Sequence, residues 1–262
     1  MNMACEEMSW GFVIDVIYGS LKVSFPNLEI LKLSGLFKLM GIWDRQLPLS
    51  SFCNLHILEV EKCPFLLNIV PNYLIASLQN LEKLNVEKCD QLQEVFDLEG
   101  LDNADYEHAR MLSKLEELKL IDLPELRYIW NKDLQQISCF QNLKLLHVKQ
   151  CGSLTHLFSS VMALDLERLK DLCVEHCSMI KKIITVEDRV TDEIIFPQTT
   201  QLSLLSLPNL TSFYRGTRTH EKVDMEDCDI LACVLFHEKV SLSLLFFIII
   251  IKHHFLCLLM LY

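Results

Sequence analysis

The sequence predicts an α/β solenoid, with a curved parallel β-sheet on a concave side and short helices and loops on a convex side. Three observations predict it. One apolar frame recurs seven times along the 262 residues, each copy holds an apolar pair two residues apart, and the connecting segments vary in length. A unit too small to bury its own apolar face needs neighbours stacked on it, and stacking produces a ribbon.

The frame is nineteen residues long. Copy one is FPNLEILKLSGLFKLMGIW from Phe25, copy two is FCNLHILEVEKCPFLLNIV from Phe52, and copy three is LQNLEKLNVEKCDQLQEVF from Leu78. Copy four is LSKLEELKLIDLPELRYIW from Leu112, and copy five is FQNLKLLHVKQCGSLTHLF from Phe140. LERLKDLCVEHCSMIKKII from Leu166 and FPQTTQLSLLSLPNLTSFY from Phe196 are copies six and seven. Apolar residues fill places 1, 4, 7, 9, 12, 15, 18 and 19, and only Thr199 breaks place 4. A worn eighth copy falls within 217–239, where Val223, Met225, Cys228, Leu231 and Val234 take places 7, 9, 12, 15 and 18. This spacing defines a leucine-rich-repeat solenoid, with its repeats spanning 25–216 behind an N-terminal stub of residues 1–24.

Places 7 and 9 lie on one side of a short strand: Leu31 with Leu33, Leu58 with Val60, Leu84 with Val86. The residue between them points the other way, toward solvent. Place 12 turns the chain inward and place 15 fills the core behind it. Connections belong on the convex side, where insertions cost little. PNYLIASLQ after Val70 and SSVMALDLERL ahead of Leu169 predict short helices. DLEGLDNADYEHARM and TVEDRVTDEII are acidic and predict surface loops.

A longer period overlies the repeat. Place 12 runs Leu36, Cys63, Cys89, Leu123, Cys151, Cys177, Leu207, so leucine returns every third copy. Pro124 and Pro208, and the terminal aromatics Trp43, Trp130 and Tyr214, track those leucine copies. Duplication of a three-copy block of about 85 residues accounts for this.

The formal charge is −11, all of it carried before Asp229. So acidic a body repels phosphate backbones and excludes nucleic acid as the expected partner. The N-terminus MNMACEEMSW has no basic residue, and Asp15 interrupts the apolar stretch after it, so no secretory signal is read there. The 11 cysteines are then expected to be reduced thiols in a cytoplasmic protein, and the sequon at Asn209 is a chance match.

The LxxLxLxxC/L frame, the alternation of LPxLxxIW endings with CxxLxxLF endings, and the string IIFPQTTQLSLLSLPNLTSFYRG resemble a known family. They are similar to the repeat region of plant disease-resistance proteins that carry a coiled coil, a nucleotide-binding domain and leucine-rich repeats. The likeness covers Phe25 to about Gly216. It implies a defence role, the sensing of pathogen effectors directly or through a guarded host protein, and contact with the receptor's nucleotide-binding domain. No G-x-x-x-x-G-K-[ST] loop is present, so nothing of the nucleotide switch carries over. The chain reads as a fragment, a truncated paralogue or an incomplete gene product.

No residues stand out as catalytic, cofactor-binding or metal-binding. Cys63, Cys89, Cys151 and Cys177 recur at one place without any C-x-x-C pair, which fits small packed side chains better than zinc ligands. In Cys173-Val174-Glu175-His176-Cys177, Cys173 takes a solvent-facing place while Cys177 turns inward, which opposes chelation. Cys228 and Cys233 have no histidine at ligand spacing, and Glu116-Glu117 and Glu6-Glu7 read as hydrated surface. No serine–histidine–acid or cysteine–histidine arrangement emerges from the 9 histidines.

The remaining candidate is the solvent side of the strands, at places 8 and 10, as a protein-binding face. In order these are Lys32 and Ser34, Glu59 and Glu61, Asn85 and Glu87, and Lys119 and Ile121. His147 and Lys149, Cys173 and Glu175, and Ser203 and Leu205 complete the series, and its exposed apolar members Ile121 and Leu205 read equally as partner contacts or as scattered surface residues.

The tail VSLSLLFFIIIIKHHFLCLLMLY, 240–262, is long enough for a membrane span but carries Lys252, His253 and His254 near its middle. Two readings stand: a gene-model tail such as translated intron, or a membrane anchor. The rival function that follows is a membrane-tethered or non-productive product with no retained ligand. Val13, Val16, Ile17 and Leu21 of the stub cover only part of the first core layer, so poor solubility is expected of the chain alone.

Overall fold

In the computed structural model the described residues are 8–9, 25–43, 45, 52–98, 112–130, 140–185, 194, 196–213 and 232–235. The strands are β1 (Met8–Ser9), β2 (Ile30–Ser34), β3 (Ile57–Glu61), β4 (Asn68–Val70), β5 (Lys83–Glu87), β6 (Glu94–Phe96) and β7 (Glu117–Ile121). They continue with β8 (Tyr128–Trp130), β9 (Leu145–Lys149), β10 (Phe158–Ser159), β11 (Asp171–Glu175), β12 (Ile184–Thr185), β13 (Gln201–Leu205) and β14 (Ala232–Leu235). Two helices, α1 (Asn72–Ile75) and α2 (Ser160–Leu164), complete the set.

Each copy contributes one five-residue strand, places 6 to 10, to a sheet ordered β1-β2-β3-β5-β7-β9-β11-β13-β14. From β2 to β13 every pairing is parallel and without slip: Lys32 lies beside Glu59, Glu59 beside Asn85, and Cys173 beside His147 and Ser203. A slip of one residue would turn the leucines to solvent, so burial fixes the register. At the ends, β1 sets Met8 beside Leu31, and β14 runs antiparallel to β13 with Cys233 beside Ser203. Val223 and Met225 of the worn eighth copy lie outside the described residues, as do 99–111 and 186–193 of the two acidic segments, Tyr214 and 240–262; the described Leu98 and Ile194 of those segments are buried rather than on the surface. Among the described residues no helix is long and apolar enough to cross a membrane.

The predicted core places are the observed core. Among the described residues, every apolar frame position of copies two to seven is buried, including Leu58, Leu84, Leu118, Leu146 and Val174. In copy one, Phe25, Leu28 and Leu36 are only partly buried. Thr199, the one polar intruder, donates its hydroxyl to the Leu169 carbonyl at 2.8 Å, so its polarity is satisfied. Aromatics fill the convex side, where Trp130 stacks on Phe158 at 5.5 Å and Trp43 meets Phe52 edge-on at 4.8 Å.

Two features were not read from the sequence. Place 11 is left-handed in all seven copies, at Gly35, Lys62, Lys88, Asp122, Gln150, His176 and Ser206, with φ between 53° and 69°. The turn aims that residue's N–H at the place-10 carbonyl of the next copy, as from Lys88 to Ile121 at 3.0 Å and from Gln150 to Glu175 at 2.9 Å. The convex side also carries two small parallel sheets, β4-β6-β8 and β10-β12, in addition to the expected helices and loops. Both helices fall inside the predicted segments, and α2 is capped by Ser159, whose hydroxyl accepts from the Met162 N–H. The side-chain amide of Asn209 is taken by the Ser178 carbonyl at 2.7 Å.

Candidate partner-binding face

The register lines up places 6, 8 and 10 of seven copies as three rows on one face of the main sheet. Strand periodicity of two carries the rows one step further than places 8 and 10. The sequence reading therefore missed place 6, held by Ile30, Ile57, Lys83, Glu117, Leu145, Asp171 and Gln201. The alternation that placed Lys32 and Ser34 outward would have supplied it.

Across these rows the polar residues pair with one another. Lys32 reaches Glu59 at 3.4 Å, and Lys83 reaches Glu117 at 2.8 Å with Lys119 at 3.8 Å on the same carboxylate. His147 meets Asp171 at 2.9 Å, and Lys149 meets Glu175 at 3.0 Å. Lys62 and Lys88, at the left-handed place, fold back on Glu61 and Glu87. The Lys83 hydrogen bond holds Glu117 below the ordinary carboxylate range, and Glu117 in return raises the lysine. Glu175 is lowered first by the thiol of Cys173 and then by Lys149 and Ser203. Two buried acceptors, Asn85 Oδ1 and Asp171 Oδ1, have no hydrogen-bond partner.

Two exposure expectations are corrected. Cys173 sits on the outward side but is 4% exposed, because a short side chain lies beneath the longer His147, Lys149 and Glu175 around it. Its Sγ donates to Glu175 Oε1 at 3.1 Å. Burial, then that bond, pushes the thiol up to about 12, so it stays protonated at neutral pH. Ile121 and Leu205 are half-buried rather than exposed, shielded by neighbouring strands about 4.8 Å away. Of the fourteen predicted positions Ser34 is exposed, Cys173 is buried and the other twelve are half-buried.

The place-12 cysteines behave as packing groups. Cys63, Cys89, Cys151 and Cys177 are buried free thiols, each donating to its own copy's place-10 carbonyl at 3.3 to 3.5 Å. Donating a hydrogen bond to the neighbouring copy's sulfur, together with burial, raises Cys89 and Cys151. Among the described residues no three His, Cys, Asp or Glu side chains converge to hold a metal.

The family model described as plant disease resistance protein RPS2-like, leucine-rich repeats, matches residues 27–178. One similar protein, named as a probable disease resistance protein of Arabidopsis thaliana, is 30% identical over 139 residues, 51% of this chain and 14% of that one. A second, a putative disease resistance protein of the same plant, is 30% identical over 150 residues, 57% of this chain and 11% of its own length. The chain thus spans a small fraction of both relatives. No solved structure matches. With the model matching more than half of its length, over copies one to six of the sheet, the chain belongs to the RPS2-like leucine-rich-repeat family of plant disease resistance proteins.

Proposed function

We propose that this solenoid is a non-enzymatic recognition module of a plant immune receptor, binding another protein across the three rows of the main sheet. One observation carries the reading: seven parallel strands in unbroken register hold places 6, 8 and 10 in fixed positions for a partner to contact. The partner is a pathogen effector, a guarded host protein or the nucleotide-binding domain of a receptor, and the setting is cytoplasmic. The lysines of the rows are engaged by glutamates, so the face meets a partner with its charges largely paired.

The test is interaction recovery in plant cells with the full chain, comparing the natural sequence with Lys119→Glu/Ile121→Asp. A specific partner is lost from the double variant by about tenfold or more, as expected when central contacts are replaced by repulsive ones. Equal recovery with both would overturn the reading.

A further inference from the structure

We propose that the junction between copies four and five is a hinge, at which the solenoid changes its curvature while the main sheet stays paired. The two sides of the molecule join these copies unequally. On the strand side the junction is bonded throughout: β7 and β9 pair from Glu117 to Ile121 without slip, and the Asp122 N–H reaches the Lys149 carbonyl at 2.9 Å. The convex side differs. There β4, β6 and β8 of copies two to four form one small sheet. β10 and β12 of copies five and six form another, which the Lys182–Ser212 bridge continues into copy seven. Among the described residues no strand pairing joins β8 to β10. Rings meet across that gap instead, Trp130 with Phe158 at 5.5 Å and with Phe140 at 5.0 Å.

A matching gap follows copy one, since among the described residues β4 pairs with β6 and with no strand of copy one. Side chains close it. Trp43 donates from Nε1 to the Ile69 carbonyl at 2.6 Å, and the Tyr73 hydroxyl of α1 donates to the Trp43 carbonyl at 3.2 Å. Trp130 holds the place of Trp43 and is as deeply buried, yet its Nε1 has no hydrogen-bond partner among the described residues. Val161 of α2 holds the place of Tyr73, three residues past the frame, and has no hydroxyl to donate. Both ties are therefore missing at the second junction. Both gaps follow a leucine copy ending in tryptophan, so the three-copy period of the sequence is also the period of the convex ladder.

Apolar burial is non-directional, so ring contacts allow a small sliding motion that a strand ladder forbids. A buried N–H without a partner also costs free energy, which a movement that hydrates it or brings it to a carbonyl recovers. Bending about the paired β7 and β9 widens or narrows the convex gap. It swings copies five to seven against copies one to four and leaves the register of the three rows intact. The two halves of that face then adjust their angle to whatever lies across them. The hinge does not depend on the three-row face being the contact surface, because its test needs no partner.

Methyl relaxation dispersion on the full chain tests it. Ile129 and Leu157, buried on either side of the gap, are the reporters, and Val95 and Ile183, buried inside the two ladders, are the controls. Ile129 and Leu157 share one exchange process, whose contribution to transverse relaxation is about threefold or more that of Val95 and Ile183. Val161→Tyr supplies the hydroxyl that copy two has at this place, and it lowers that contribution by about half or more. Silent Ile129 and Leu157 methyls in the natural chain overturn the proposal, as does exchange of equal size at the controls. Exchange that differs in rate between Ile129 and Leu157 also overturns it, because it reports separate local motions. Undiminished exchange in a folded Val161→Tyr chain shows that the missing ties are not its cause, and overturns it too.

Discussion

The side-chain amide of Asn80 donates to the backbone carbonyl of Cys53 at 2.6 Å, tying copy three to copy two ahead of the strands. Asn54 does the same to Pro26 at 2.9 Å, and Asn142 to Ser113. Where place 3 carries a cation, the direction of the tie changes. Lys114 donates to Asn80 Oδ1 and Arg168 to Asn142 Oδ1, each at 2.6 Å. Asn80 and Asn142 thus bond the copy before with the amide and the copy after with the oxygen.

Asn80→Ala removes both bonds and leaves the Cys53 carbonyl without its donor. A loss of about 1 kcal/mol is expected, near the usual net value of one hydrogen bond. Lys114→Ala, at an exposed position, should cost less than half of that. Urea unfolding of the two variants side by side is the measurement. Equal midpoints would show that the asparagine tie contributes nothing to stacking.

The left-handed turn at place 11 gives a second prediction. Gln150 holds φ at 55°, a conformation that costs an L-residue roughly 1–2 kcal/mol and glycine almost nothing. Gln150→Gly should therefore raise the melting temperature despite its greater unfolded-state entropy. Gln150→Val should lower it, because a β-branched side chain fits that region worst. The amide that bonds Glu175 is present in all three proteins, so the comparison isolates the turn. A glycine variant less stable than valine would refute the account.

These two relationships also show where the sequence is legible. Buried leucines at places 7 and 9 are chemically uniform, so their spacing is visible and the strands, register and core follow from it. Place 11 is filled by Gly35 and then by Lys, Lys, Asp, Gln, His and Ser. The demand there is on backbone conformation, and it leaves no shared side chain to notice. Place 3 repeats asparagine in four copies, but a polar residue outside the apolar frame reads as surface until its partner carbonyl is seen. On the binding face, alternation placed Lys32, Glu59 and Asn85 outward but could not show their pairings. Burial of Cys173 depends on the length of its neighbours, which a single strand does not encode.

Cys173 itself supplies the third prediction. With its thiol raised to about 12 and 4% of its surface exposed, it should resist iodoacetamide at pH 8 in the folded chain. The half-buried Cys53 should react first, and mass spectrometry of the digested protein can tell the two apart. In urea both should label at similar rates. Glu175→Gln removes one cause of the raised thiol but not its burial, so labelling of Cys173 should rise only modestly. Labelling of native Cys173 as fast as Cys53 would contradict its placement beneath the neighbouring side chains.

Acid should loosen the sheet face before the core. Glu117 and Glu175 both have folded-state pKa values below their ordinary ones, through Lys83 in one case and through Cys173 and Lys149 in the other. A lowered carboxylate contributes stability above its unfolded value, near 4.3, and loses it as the pH falls through the folded value. The melting temperature of Glu117→Gln should lie below that of the natural chain at pH 7, and the two should converge as the pH falls through the lowered folded value. The gap is small, because these partly exposed pairs are screened and each contributes about 1 kcal/mol or less. Comparing the curves as a difference cancels the general effect of discharging an acidic body. Parallel curves over the whole range would mean that the Lys83–Glu117 contact carries no net stability, leaving the buried leucines alone to hold the register.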